Sequence, residues 1–248
     1  MKIERTLEDL DDADIQYVFT HKWRGFPNLK PDNEVNLLIN EDQYDESLEI
    51  FDSNGFNTLT STEKEGIVDA FVSNPSSSLL SLATSPVETT RKALQIYHGD
   101  SGRTVSNKRL VTECSLKTNG IGIKVANHLG YVPYLWEEKK LRITPELERE
   151  MLKQRDRVQG PIYVADLPHE LIHLICDGVF NHEGEFPHFH KERCEELWNE
   201  IQQSEEDREY FENCLDLVFY QASSVVLECL SEKNYEQLLP KLMCYTKY

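Results

Sequence analysis

The sequence predicts an α+β fold, with an α/β domain over residues 1–142 followed by a helical domain over residues 143–248. Three observations predict it. Apolar residues alternate at Val35, Leu37 and Ile39, and again at Ile121, Ile123 and Val125, as they do in strands with one buried face. Lys117-Thr118-Asn119-Gly120 lies just before the second run, and Asn-Gly accepts the positive φ of a tight hairpin turn. After Thr144-Pro145 the apolar period changes from two to about 3.6.

Each element follows from local chemistry. Ile3 to Asp12 is a short amphipathic helix with Leu7 and Leu10 on one face, and Ile15 to Phe19 is a strand. His21 to Asn28 holds Gly25 and Pro27, which break regular structure. Glu34 to Ile39 is the next strand, and Gln43 to Phe51 is a helix closed by Ser53-Asn54-Gly55, a left-handed cap. A short strand, Phe56 to Leu59, follows. Glu63 to Val72 has helical character, and Asn74 to Ser78 is a loop. Strands are expected at Thr89 to Tyr97, Arg109 to Leu116 and Ile121 to Ala126. Thr144 is an N-cap with Pro145 at the first helical position and Glu146 and Glu148 in the first turn, opening a helix to about Gly160. Ile162 to Ala165 is extended. Asp166-Leu167-Pro168 opens a helix to about Phe180, and His190 to Gln203, Glu205 to Ser231 and Tyr235 to Tyr245 complete the helical half.

Charge narrows the function classes. The chain has 44 acids against 26 bases and a net charge of −18. Sequence-independent nucleic-acid binding needs a basic surface to replace counterions on phosphate, so it is not expected. The N-terminus has no apolar leader core. The longest uncharged stretch, Leu217 to Leu227, is too short and polar to span a bilayer. The six cysteines form no CxxC pair. Several fall at apolar helix positions, which predicts buried free thiols in a reducing, cytoplasmic compartment.

Two constellations carry candidate chemistry. His169-Glu170-Leu171-Ile172-His173 is a literal HExxH. On a helix the two imidazoles share a face and can hold Zn²⁺, with His182 as a third ligand and Glu170 as the base that activates water. Against this, Pro168 places His169 in the first turn, and no His-x-x-Gly-x-x-His extension follows. The alternative is an ordinary amphipathic helix packing Leu171, Ile172, Leu174 and Ile175.

The second constellation is the front half: helix, strand, Gly turn, strand with polar residues, helix, strand. This order resembles the minimal core of the nucleotidyltransferase superfamily. The resemblance places Arg24-Gly25-Phe26 at the phosphate-cradling turn and Glu34 to Ile39 on the metal strand. It places Ile121 to His128 on the strand of the third acid. The back half is similar to the helical region of archaeal nucleotidyltransferase-like proteins associated with surface-polysaccharide genes. The matching stretches are Glu170 to Ile175 and Glu183-Gly184-Glu185-Phe186-Pro187.

The resemblance implies Mg²⁺ bridging nucleotide phosphates. This chain departs from the pattern: Phe26 replaces the turn serine, Glu34 is the one acid kept, and Asn36 and Lys124 stand at the other two acid positions. Glu34, Asn36 and Lys124 are therefore the candidate catalytic positions, with Glu34 the candidate Mg²⁺ ligand. Lys22, Arg24 and Gly25 are the candidate phosphate-binding residues. With two of three acids replaced, turnover is left open, and a nucleotidyltransferase-like protein that binds a nucleotide or phosphorylated sugar is the leading expectation. A zinc hydrolase using the HExxH and a protein-interaction module without catalysis are the two alternatives.

Overall fold

The structure is a computed structural model, and it describes residues 2–21, 23–25, 34–58, 113–118, 121–131 and 141–245. Lys22, the helix expected at Glu63 to Val72 and the strand expected at Thr89 to Tyr97 lie outside the described residues. The described chain runs α1 (Lys2–Asp12), β1 (Tyr17–His21), a 3₁₀ turn (Trp23–Gly25), β2 (Glu34–Ile39), α2 (Tyr44–Ser53) and β3 (Asn57–Thr58). Then come β4 (Glu113–Thr118), β5 (Ile121–Ala126), β6 (Gly130–Tyr131), β7 (Leu141–Arg142) and α3 (Pro145–Lys153). After β8 (Asp156–Gln159) and β9 (Ile162–Val164) the chain is helical: α4 (Leu167–Cys176), a π turn (Asp177–Asn181), α5 (His188–Ile201), α6 (Glu205–Phe219), α7 (Ser223–Ser231) and α8 (Leu238–Leu242). The protein is α+β.

The main sheet has the order β3-β4-β5-β2-β1-β9-β8, and β6 and β7 form a separate pair. One face of the sheet, carrying Tyr17, Phe19, Val35, Leu37, Ile39, Ile123 and Val125, packs with Ile3, Leu7 and Leu10 of α1 and Phe51 of α2. Burying each of the α1 side chains stabilises the fold by about 1.5–3 kcal/mol. The other face carries Val18 and Leu38, which join the core built by α3 to α8. Period two in the strands therefore divides the molecule into two cores.

Several boundaries differ from the sequence expectation. The helix from Pro145 stops at Lys153, because Asp156 to Gln159 pair with Ile162 to Val164 across Gly160, whose φ is +51°. That hairpin comes from beyond residue 143 yet extends the front-half sheet, with Phe19 beside Val164 in parallel. Residues 1–58 and 108–248 accordingly form one compact unit in which the sheet crosses the expected boundary at 142–143. Buried Tyr17 helps join the halves, since its hydroxyl donates to Leu7 O at 3.2 Å and also contacts Pro161 O.

The helix ends near Phe180 only by way of a π turn, and the long expected helix to Ser231 is broken at Tyr220, with φ 48° and ψ −124°. Glu205–Ser231 is long and apolar enough by composition to cross a membrane. The break and the core positions of Phe211, Leu215, Val226 and Leu230 make it two packed helices instead. The cap at the end of α2 forms as read: Gly55 has φ +71°, and Phe56 N–H donates to Phe51 O at 3.1 Å. Thr118 pairs with Ile121, as the Asn-Gly hairpin requires, although Asn119 and Gly120 themselves lie outside the described residues.

Candidate functional site

The expected metal strand and third-acid strand are neighbours. β2 and β5 run parallel in register, with Glu34 opposite Gly122 and Asn36 opposite Lys124. Register neighbours project to the same sheet face, and residues two apart along a strand share that face. Asn36 and Lys124 therefore lie on the side of Leu38, toward the helical core. Both are half-buried and both have polar partners. β1 shifts register between Phe19 and His21 at this level, where His21 comes to face Asn36. Such bulges recur beside functional sites because they re-aim a side chain. The bulged residue is Thr20, 3% exposed, and its hydroxyl has no hydrogen-bond partner among the described residues.

Arg24, a candidate phosphate-binding residue, is already engaged by a carboxylate. Arg24 Nη1 lies 3.3 Å from Glu196 Oε2, and Arg193 Nη1 donates to the same oxygen at 3.0 Å. Arg193 in turn forks onto Glu170: Nε reaches Oε1 at 2.8 Å and Nη2 reaches Oε2 at 2.7 Å. Burial pulls the Arg193 pKa down, but Glu170 and then Glu196 outweigh it and hold the guanidinium above its usual value. A chain of alternating charge thus runs from the 3₁₀ turn after β1 to α4.

No family model matches the chain, and neither do the curated proteins or the solved structures.

The HExxH residues do lie on α4, but each has another partner. Asp166 is the N-cap; its Oδ1 accepts from His169 N at 3.0 Å and also contacts His169 Nδ1 at 2.5 Å. His169 is fully buried, edge-on to Tyr210. His173 Nδ1 meets the hydroxyl of buried Tyr131. Both Glu170 oxygens accept from Arg193, so the carboxylate is held in a buried ion pair with α5. His169, His173 and His182 are not drawn together. His182 Nε2 lies instead 3.3 Å from Asp177 Oδ2, and His190 Nε2 lies 3.7 Å from that same oxygen. One ligand atom from each of Asp177, His182 and His190 falls within 4.8 Å of the others. The HExxH spacing points to His169, His173 and His182 and carries no signal for Asp177 or His190.

A further polar group lies at the opposite end of β2 and β5, just past their last residues. Buried Glu148 accepts from Leu129 N and Arg142 Nε, each at 2.8 Å, and lies 3.4 Å from His128 Nδ1. Glu41 approaches the same histidine at 3.6 Å and Arg142 at 3.2 Å. The arrangement ties α3 to the strand ends.

Proposed function

We propose that the helix-facing end of the sheet binds a phosphorylated small ligand, a nucleotide or a sugar phosphate, as a nucleotidyltransferase-like core without metal-dependent turnover. The observation that carries this reading is the register of β2 and β5, which sets Lys124 against Asn36 where the superfamily pattern has acids. A metal core neutralises phosphate with Mg²⁺ held by carboxylates. An ammonium at the same level neutralises phosphate directly, with charge-assisted hydrogen bonds and no ion. Thr20, buried at the adjacent bulge with an unused hydroxyl, supplies a neutral donor beside it. Glu34 stands two residues before Asn36 on β2, at the register position of Gly122.

Calorimetric titration with ATP and with glucose 1-phosphate, each with Mg²⁺ or with EDTA, tests the reading. At least one ligand should bind equally with and without Mg²⁺, and Lys124→Ala should weaken it at least tenfold. Absence of binding by both ligands, or binding that needs Mg²⁺, would overturn it.

A further inference from the structure

The helical half holds a second candidate centre that neither the HExxH nor the sheet reading includes. We infer that Asp177, His182 and His190 form a binding site for one divalent transition-metal ion of the zinc class, clipping α4 to α5. Asp177 opens the π turn, His182 follows its last residue, and His190 lies in the first turn of α5. Asp177 Oδ2 is 3.3 Å from His182 Nε2 and 3.7 Å from His190 Nε2. Donors bound at about 2.0–2.1 Å to one tetrahedral ion stand roughly 3.3 Å apart. The two Asp177 distances are thus close to the spacing an ion would impose, and the three donor atoms all lie within 4.8 Å of one another.

The surroundings fit a held ligand set. The other carboxylate oxygen, Asp177 Oδ1, accepts from Asn181 Nδ2 at 2.8 Å, which fixes the plane of the carboxylate. His190 is 2% exposed and packs against the ring of Phe189. The backbone is shaped to bring His182 round: Asp177–Asn181 is a π turn, and His182 N–H donates back to Asp177 O at 3.1 Å. Glu183 then takes φ 52°, a left-handed conformation that is sterically unfavourable for a non-glycine residue. π turns and left-handed residues of this kind gather at functional sites.

Ligand chemistry selects the ion. Two imidazoles and one carboxylate suit Zn²⁺, Fe²⁺, Co²⁺ or Ni²⁺, whereas Mg²⁺ and Ca²⁺ favour oxygen alone. Three protein ligands leave a coordination position open. The His182 side chain is 44% exposed, so the site can be reached from solvent. The centre is separate from the HExxH, whose residues are engaged by Asp166, Arg193 and Tyr131.

The test uses the full chain, stripped with EDTA. Zn²⁺ is titrated in competition with a chromophoric chelator, and Co²⁺ is followed by its d–d absorption. One equivalent should bind, and the Co²⁺ spectrum should show a low-symmetry site of nitrogen and oxygen donors. Zn²⁺ should also raise the unfolding temperature. His182→Ala, at an exposed position, and Asp177→Asn should each weaken binding at least tenfold. Both should also lose the Zn²⁺-dependent rise in unfolding temperature. His188→Ala, an exposed neighbour, should change nothing, and His190→Gln provides a conservative probe of the buried ligand. Absence of stoichiometric binding would overturn the inference. So would binding retained in His182→Ala but lost in His173→Gln, which would move the ion to the HExxH.

Discussion

Replacing Glu170 by glutamine breaks the fork between α4 and α5. Glu170 and Arg193 are 6% and 10% exposed, and they share two hydrogen bonds of 2.7 and 2.8 Å. Removing one member of a buried pair costs about 3–5 kcal/mol, because the other charge stays desolvated. Two features reduce that figure here. Glutamine keeps one acceptor oxygen, and Glu196, half-exposed, still bonds Arg193 Nη1. Glu170→Gln should therefore cost about 2–3 kcal/mol and Glu170→Ala about 3–5 kcal/mol. A chain of this size unfolds in urea with a slope near 3 kcal/mol/M, so the midpoint should fall by about 1 M for glutamine. The double variant Glu170→Gln/Arg193→Met should recover much of the loss, since removing both charges is often close to neutral. Suppose instead that Glu170→Gln leaves the midpoint within about 0.2 M while abolishing a zinc-dependent hydrolysis. Glu170 would then be a general base, and its pairing with Arg193 would carry no structural weight.

Gly178→Ala places a Cβ 2.3 Å from Phe186 Cε1, so it should cost about 1–3 kcal/mol, and Phe186→Leu should recover part of it; equal melting temperatures for Gly178→Ala and wild type would refute the packing. Of the six cysteines only Cys244 is exposed. Ellman's reagent should modify one thiol quickly in native protein and the remaining five only on unfolding; a second fast thiol would contradict this. Burial pushes the Cys194 thiol up to about 12 and the Cys214 thiol to about 11, and also raises Cys176 and Tyr131. Their folded pKa values exceed the unfolded ones, so their contribution is complete below about pH 8.5 and is lost as pH rises. Urea midpoints should fall between about pH 9 and pH 11; a midpoint that holds or rises across that window would refute the assignment of these groups to the core.

Most of the sheet was legible because strand signals are local. Alternation at Val35, Leu37 and Ile39 marks a face whatever lies against it, and those three side chains do share one core. The Asn-Gly hairpin and the Gly55 cap are likewise set by backbone sterics within a few residues. β8 was not legible in the same way. Asp156 to Gln159 are all exposed and carry no apolar alternation, so nothing local separates them from the end of a helix. Only pairing with β9, and through it with β1, makes them a strand. A domain boundary drawn at a change of period therefore missed that the later hairpin completes the earlier sheet.

The two histidine groupings show the same division between what spacing dictates and what partners decide. Positions four apart on a helix share a face, so His169 and His173 look like a ligand pair in any sequence that holds them. Whether they can act as one depends on what the neighbouring elements offer. Here an N-cap carboxylate takes one ring, a tyrosine from β6 takes the other, and an arginine from α5 takes the glutamate between them. Asp177, His182 and His190 fit no helical or strand repeat, because the chain between them passes through a π turn, two positive-φ residues and a new helix start. No periodic template gathers residues at such spacings, yet the irregular backbone is what brings the three donor groups to one point. A motif of regular spacing is thus weak evidence for a metal centre in this chain, and the stretch where regular structure gives way is the stronger place to look for one.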